Sequence, residues 1–204
     1  MRDSDIRRSL DIMLRTLHEG EPDTLIRHEV GLCASERRVD MAVVNGEFIG
    51  YEIKSDEDTL VRLSGQAEAY SRVLDRAVLV TTRRHIDAAL RELPEWWGVI
   101  VATEDGGNVH LCFVRSPSRN DQHDAFSLAQ QLWRDEALEE LRLRGMATGL
   151  TKKARHYVWL ALSQALSLDE LRGVVRSRLK ARREWPGGQL HGLYGAPIPT
   201  EPIP

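Results

Sequence analysis

Residues 49–55 read Ile-Gly-Tyr-Glu-Ile-Lys-Ser and place two charges in a segment that otherwise has the composition of a buried strand. Successive side chains of a strand point to opposite faces, so Glu52 and Lys54 share one face while Tyr51 and Ile53 share the other. Burying two charges is costly unless they pair or bind a metal. The segment is therefore either an edge strand with a solvated Glu-Lys pair or part of a functional site.

A second carboxylate lies in the preceding strand-like run, which ends at an Asn-Gly hairpin signal. If Val44 pairs with Phe48 across a three-residue loop (45–47), Asp40 lies opposite Glu52 and on its face. A two-residue turn would shift the register by one and send the two carboxylates to opposite faces. The functional interpretation therefore requires a three-residue loop or a bulge.

The combination of two carboxylates and a lysine has a specific chemical use. An Asp and a Glu a few ångströms apart repel each other unless a cation lies between them, and hard oxygen ligands suit Mg²⁺ or Mn²⁺. A nearby lysine can orient a water molecule or stabilise charge that develops on a phosphate. These are the requirements of metal-assisted phosphodiester hydrolysis.

At this point the sequence resembles a known family. Asp40 followed by Glu-Ile-Lys at 52–54 looks like the motif of the PD-(D/E)xK nuclease superfamily. Gln66 and Tyr70 match the Q-x-x-x-Y element of its RecB-like branch. The resemblance covers residues 29–82, about a quarter of the chain, and is strongest to short uncharacterised bacterial proteins of this kind. One departure is Val39, which stands where the family has Pro.

The resemblance implies a fold and a set of site residues. The implied fold is a restriction-endonuclease-like mixed sheet flanked by helices. Asp40 and Glu52 would bind Mg²⁺ or Mn²⁺, the carbonyl oxygen of Ile53 would join them, and Lys54 would be the catalytic lysine. The Gln and Tyr of the Q-x-x-x-Y element would belong to the same catalytic site, although they are also ordinary polar and core positions of a helix.

Members of the superfamily often add an acidic residue from an upstream element. Glu19, Glu21 and Glu29 are the candidates here. Glu29 is favoured as a metal ligand because its segment is expected to run beside the hairpin, and the competing interpretation is a surface salt bridge.

The order of predicted elements is helix, three strands, helix, strand, helix and two strands, followed by helices only. This order predicts an α/β mixed sheet with flanking helices and a C-terminal helical subdomain. The expected helices of that subdomain are 121–144, 151–166 and 167–183. We assign residues 1–117 to the nuclease-like core, 118–185 to the helical subdomain and 186–204 to a Pro/Gly-rich tail.

The charge of the chain is distributed unevenly. The net charge is −3, yet residues 151–184 hold nine basic residues against three acidic ones. A basic segment attached to an acidic body is one way to hold nucleic acid, and it is also typical of a solvated helix. The residues predicted to contact nucleic-acid phosphates are Arg62, Arg172, Arg176, Lys180 and Arg183.

Composition excludes several other classes. No stretch is long and apolar enough to span a bilayer or to act as a secretory signal, so a cytoplasmic location is expected. Cys33 and Cys112 have no partner pattern and are expected to be small core residues. The sequence also lacks the glycine motifs of ATP and NAD sites.

The sequence thus predicts a Mg²⁺- or Mn²⁺-dependent endo- or exodeoxyribonuclease, with RNA as an alternative substrate. A homodimer or a larger protein assembly is compatible with this prediction. The alternative is a non-catalytic DNA-binding or defence-complex protein on a nuclease-like scaffold, with a helix-turn-helix-like pair around Ser167.

Overall fold

A computed structural model describes residues 1–182 and residue 185. The strands are β1 (Leu25–Leu32), β2 (Arg37–Val44), β3 (Phe48–Lys54), β4 (Arg76–Thr82), β5 (Gly98–Asp105) and β6 (Asn108–Arg115). The helices are α1 (Asp3–Leu17), α2 (Leu63–Ser71), α3 (Ile86–Glu92), α4 (Ala125–Ala129), α5 (Arg134–Leu143), α6 (Arg155–Ala165) and α7 (Leu168–Ala181).

The six strands form one sheet in the order β1-β2-β3-β4-β5-β6. Neighbouring strands are antiparallel except for β3, β4 and β5, which run parallel to one another. Parallel neighbours need a crossover connection, and α2 and α3 supply the two crossovers. The prediction of an α/β mixed sheet with flanking helices and a C-terminal helical region is confirmed.

Each face of the sheet is covered by helices. On one face, α1 buries Ile6, Leu10 and Leu14 completely against the sheet. On the other face, α2, α3 and the C-terminal helices share one larger cluster. None of the helices in the described part of the chain is both long and apolar enough to cross a membrane.

The C-terminal helices do not have a core of their own. Leu128, Val158 and Leu171 belong to the same contiguous apolar cluster as Leu79 of the central strand. The expected boundary near residue 117 therefore separates two kinds of secondary structure but not two hydrophobic cores.

The helix expected over 121–144 is two helices, and this expectation was wrong. The carboxylate of Asp124 caps α4, and Trp133 then adopts an extended conformation. Glu136 accepts a hydrogen bond from the Trp133 amide, so a new helix begins there. The C-terminal end at Gly145 is as predicted, because its positive φ closes the last turn of α5.

The helix that carries the Q-x-x-x-Y element begins at Leu63, so neither Asp56 nor Asp58 caps it. Asp58 instead accepts hydrogen bonds from the amide and hydroxyl of Ser55, and Asp56 pairs with the amino group of Met1. Both carboxylates therefore stabilise the turn that follows β3.

Both cysteines were expected to be core residues. Cys33 is buried as expected, whereas Cys112 is exposed on β6, an edge strand of the sheet. Trp96 and Trp97, which directly precede β5, are buried.

Two basic residues of α7 stabilise the fold by pairing with a buried carboxylate. Asp75, 1% exposed, precedes β4 and accepts a hydrogen bond from the amide of Phe48. Arg172 and Arg176 both point inward and pair with its carboxylate at 2.5 and 3.1 Å. His123 lies 3.3 Å from the same carboxylate.

The residues predicted to form a phosphate-binding face of α7 have different surroundings. Arg172 and Arg176 are occupied by a buried carboxylate, and Lys180 pairs with Asp23 at 2.5 Å. Arg183 and the tail 186–204 lie outside the described residues. The Asp75 cluster instead attaches the C-terminal helices to the start of β3 and β4.

We expect Asp75→Asn to cost about 3 kcal/mol at neutral pH, because it leaves the Arg176 guanidinium without a counter-charge and Arg172 with only the exposed Asp169. Burial alone would raise the pKa of Asp75, but His123, the Phe48 amide and Arg172 together hold it below its ordinary value. A depressed native pKa gives stability that is present above the unfolded pKa and is lost as the pH falls towards the native one. The difference between variant and wild type should therefore shrink below about pH 4.

The measurement is the free energy of urea unfolding as a function of pH. The matched control is Asp169→Asn, which removes the exposed second partner of Arg172 and should cost less than about 1 kcal/mol. A loss for Asp75→Asn that is small, or that is constant down to acid pH, would contradict this account of the cluster.

Candidate active site at the fork between β2 and β3

The hairpin has the register that the site requires. Val44 pairs with Phe48, so the loop contains three residues, as predicted. The last pair of this ladder is Met41 with Tyr51. Continuing the register by one residue would place Asp40 opposite Glu52, the point where β2 and β3 separate into a fork.

Both β1 and β2 change direction at this point. The β1–β2 register pairs residues 28 with 41 and 30 with 39, and it omits the intervening Glu29 and Asp40. Glu29 has φ of 56°, which is unusual for a residue other than glycine. Val39 packs on the α2 face, whereas Met41 packs on the α1 face, although alternate residues of a regular strand share a face.

This kink in β1 and β2 directs the side chain of Asp40 into the fork. Its carboxylate accepts a hydrogen bond from the Ile53 amide at 2.7 Å. Strand amides point along the sheet towards the neighbouring strand, so this carboxylate lies close to the plane of the sheet. The predicted three-residue loop is thus present, but Asp40 approaches Glu52 from the fork and not by regular pairing on one face. The Ile53 carbonyl points to the same side as its amide and also faces the fork.

The Glu52 and Lys54 side chains form a buried ion pair. The Lys54 ammonium lies 2.6 Å from one carboxylate oxygen of Glu52, and the residues are only 6% and 3% exposed. Gln66 donates to the same oxygen, and the Tyr70 hydroxyl donates to the other, each at 2.5 Å. The structure therefore brings both halves of the Q-x-x-x-Y element onto the Glu of the E-x-K motif.

Packing holds Tyr70 in this position. Its ring stacks on Trp97 with the centroids 5.5 Å apart and the planes 9° from parallel. Its hydroxyl also lies 3.1 Å from the Arg38 carbonyl oxygen. Gly50 lets the chain after α2 approach β3 closely, because a Cβ there would lie 2.4 Å from Leu74.

Burial and neighbouring carboxylates raise the pKa values of two groups at the site. Burial raises the pKa of Glu52, and the nearby Asp40 carboxylate raises it further, although Lys54 and Tyr70 oppose the shift. Burial and the carboxylates of Glu52, Asp40 and Glu29 raise the pKa of Tyr70, which therefore acts only as a hydrogen-bond donor. These carboxylates thus favour a cation.

An arginine that we did not anticipate from the sequence supplies part of that charge. Arg7 of α1 contacts the Asp40 carboxylate at 2.9 Å and the Glu29 carboxylate at 3.1 Å. Arg38 pairs with the other oxygen of Glu29 at 2.6 Å. In the sequence, Arg7 is simply one polar position of an amphipathic helix, and no local pattern distinguishes it.

The three upstream acidic residues differ in their distance from the fork. Glu29 lies in the Arg7 network beside Asp40, whereas Glu21 is exposed and interacts with His18. The geometry therefore favours Glu29 among the three candidates. Its pairing with Arg38 also matches the alternative that we considered, a salt bridge.

The site offers a limited set of oxygen donors for a cation. The described residues contain no group of three or more His, Cys, Asp or Glu side chains arranged to hold a metal ion. Mg²⁺ does not require such a group, because it usually binds through one or two carboxylates, several waters and substrate phosphates. Asp40, Glu52 and the Ile53 carbonyl fit that smaller requirement. The oxygen Oε1 of Gln66 is buried without a hydrogen-bond partner among the described residues.

A double-mutant cycle tests the buried ion pair. Glu52→Gln and Lys54→Met each leave one buried charge without its partner, and we expect each to cost about 3 to 5 kcal/mol in EDTA. The double variant should lose less than either single variant, because it removes both charges. The free energy of chemical unfolding gives the coupling.

The exposed pair Arg134 and Asp135, replaced by Met and Asn, is the control and should couple by less than about 1 kcal/mol. Additive losses at Glu52 and Lys54 would show that the two charges are stabilised independently of each other.

A second prediction concerns Arg7. Arg7→Met should lower the melting temperature in EDTA, because Asp40 and Glu29 lose their shared cation. Added Mg²⁺ should raise the melting temperature more in this variant than in the wild type, since the ion no longer competes with a guanidinium group. Arg15→Met is the matched control, because Arg15 lies on the same helix and pairs with Asp11 away from the fork. Equal Mg²⁺-dependent shifts in all three proteins would contradict the prediction.

Comparison with known proteins places this chain in a family. "Protein cII" of Enterobacteria phage P4 is 23% identical over 160 residues, which is 78% of this chain and 60% of that protein. The chain therefore spans less than two thirds of the length of this curated relative.

Among solved structures, the SPO1766 protein of unknown function from Silicibacter pomeroyi has a TM-score of 0.44 and 18% identity, covering 75% of this chain and 98% of that one. The family described as Bacteriophage P4 protein cII matches residues 8–185, which is most of the chain. The chain belongs to the Bacteriophage P4 protein cII family.

Proposed function

We propose that this protein is a divalent-metal-dependent nuclease that hydrolyses phosphodiester bonds in DNA. One observation carries the proposal: Gln66 and Tyr70 of one element both donate to the buried carboxylate of Glu52, which pairs with Lys54 of another. Three polar groups that converge on one buried carboxylate are costly to assemble for stability alone. Such clusters are enriched at functional sites.

Each side chain has a distinct role in the proposed reaction. Glu52 and Asp40 are the carboxylate ligands, and Gln66 and Tyr70 hold the Glu52 carboxylate in one orientation. Lys54 is placed to stabilise negative charge that develops on the phosphoryl oxygens. When bound, Mg²⁺ or Mn²⁺ supplies a Lewis acid that polarises the phosphate.

The electrostatics support binding of a cation at this site. Burial and the repulsion between Asp40 and Glu52 raise the pKa of Glu52, although Lys54 lies 2.6 Å away. Arg7 neutralises Asp40 on the side of α1, away from the Glu52 carboxylate held by α2. A cation in the fork would relieve the remaining repulsion.

A second candidate function rests on a different observation. All four carboxylate oxygens of Asp40 and Glu52 already accept a hydrogen bond within the chain. A site whose carboxylate oxygens all have hydrogen-bond partners can have a purely structural role. The protein would then be a non-catalytic DNA-binding or defence-complex protein on a nuclease-like scaffold.

The biological setting is also part of the proposal. A repair, phage-defence or mobile-element role is compatible with nuclease chemistry. Membership in a family described by a bacteriophage protein favours the mobile-element setting among the three. The activity, substrates and partners of the full-length relatives are not assumed for this chain.

The catalytic prediction assigns unlike effects to three substitutions. Asp40→Ala and Glu52→Ala should abolish Mg²⁺-supported cleavage and weaken metal binding, since each removes a ligand. Lys54→Met should reduce turnover by about 10² or more while metal binding persists, because the lysine is not a ligand. The measurements are cleavage of a panel of DNA and RNA substrates in Mg²⁺, Mn²⁺ and EDTA, and calorimetric titration with the metal.

Lys152→Met is the control, because it removes an exposed lysine from the C-terminal region and should leave cleavage unchanged. Wild-type protein that binds neither metal and leaves every substrate intact would refute the nuclease proposal. Binding of DNA under those conditions would then favour the scaffold function.

A further inference from the structure

The buried ion pair can be approached from one direction. Glu52 and Lys54 are almost fully covered, whereas the side chains of Asp40 and Glu29 are 21% and 24% exposed. The fork between β2 and β3 is therefore the open side of the site. A phosphodiester that reaches the carboxylates must lie along the residues that border this opening.

Arg37 lies on one border of the opening. It is exposed at the start of β2, and its guanidinium lies 3.7 Å from where a Cβ of Gly65 would be. Gly65 directly precedes Gln66, which donates to Glu52. Arg37 thus lies over the first turn of α2, one residue from a group that contacts the buried carboxylate.

Arg38 lies next along β2 and is tied to the same site. Its carbonyl oxygen lies 3.1 Å from the Tyr70 hydroxyl, while its side chain is 68% exposed and pairs with Glu29. The Arg38 backbone is therefore fixed by its contact with Tyr70, and the Arg38 guanidinium faces solvent beside Glu29.

Arg62 lies at the N-terminal end of α2. It is the exposed residue immediately before the helix, one turn before Gln66. The connection from β3 therefore ends with a third arginine at the start of the helix that carries Gln66.

We propose that Arg37, Arg38 and Arg62 form a phosphate-binding rim that holds the DNA backbone across the fork. This inference rests on the proposed nuclease function and names the substrate contacts of the same site. Guanidinium groups suit phosphate oxygens because they donate in a planar, bidentate geometry. The rim takes the role that the sequence assigned to α7. Arg172 and Arg176 are turned inward onto the buried Asp75, whereas Arg38 pairs with Glu29 but stays 68% exposed.

The rim is also correctly placed for its function. Phosphate contacts fix the position and register of DNA without reading sequence. Three such contacts around the opening would hold a phosphodiester over Asp40 and Glu52, whose own negative charges repel it. The rim therefore offsets the repulsion between the substrate and the carboxylates that the chemistry requires.

The test is DNA binding by the full chain with all three rim arginines replaced by Gln. Fluorescence anisotropy with a labelled duplex, a labelled single strand and a labelled RNA is measured in EDTA, so that metal-dependent cleavage cannot occur. We expect affinity for duplex DNA to fall by on the order of tenfold or more at about 0.1 M salt, and the slope of log K against log salt to decrease by about two to three units.

The matched control replaces three exposed basic residues of the C-terminal half, Arg119, Arg142 and Lys152, by Gln. It should leave the salt slope within about one unit of the wild-type value. Melting temperatures of both triple variants should stay near that of the wild type, because every replaced side chain is exposed.

The outcomes separate the rim from the nuclease proposal. Wild-type protein that cleaves DNA in Mg²⁺, together with an unchanged salt slope in the rim variant, would overturn the rim alone. An equal loss in the control variant would also overturn it, since the phosphate contacts would then extend over the C-terminal helices. Wild-type protein that neither binds nor cleaves any of the three nucleic acids would overturn both proposals.

Discussion

The burial of a carboxylate at each end of β3 is the constraint on which the rest of this structure depends. Glu52 lies near the carboxyl end of the strand, and Asp75 binds the amide of Phe48 at its start. Neither carboxylate can be buried without donors and positive charge close by. Each carboxylate is therefore contacted by side chains from distant elements of the chain.

The two buried carboxylates are compensated in different ways. Asp75 is neutralised by two arginines of α7, and its pKa is held below its ordinary value, so that end is stable as an ionised structural cluster. Glu52 has one lysine and a second carboxylate nearby, and its pKa is raised. The first arrangement attaches the C-terminal helices, and the second leaves a site that favours an additional cation.

Much of this architecture is encoded locally. The alternation of residues 49–55, the Asn-Gly turn and the apolar run of the central strand predict the hairpin and the parallel sheet, because strand period and turn chemistry depend on near neighbours in the chain. The three-residue loop followed from one requirement, that Asp40 lie near Glu52. Glu52, Lys54, Gln66 and Tyr70 converge as their motifs indicate.

Other features depend on contacts between residues far apart in the chain. Arg7 meets Asp40 across 33 positions, and Arg172 meets Asp75 across 97, so no local pattern shows that either arginine points inward. The helical spacing of Arg172 and Arg176 is the same whether that face meets solvent or a buried carboxylate. Only packing of α7 against the sheet decides between the two.

The kink at Glu29 and Asp40 also depends on tertiary packing. Regular alternation placed Asp40 and Glu52 on one face, but the two strands change face together and turn Asp40 into the fork. Periodicity reports which residues can share a face of a regular strand, and it carries no information on where a strand bends. The sequence therefore determined which groups meet at the site, and the tertiary structure determined the direction from which each one arrives, because that direction depends on the elements packed around the fork.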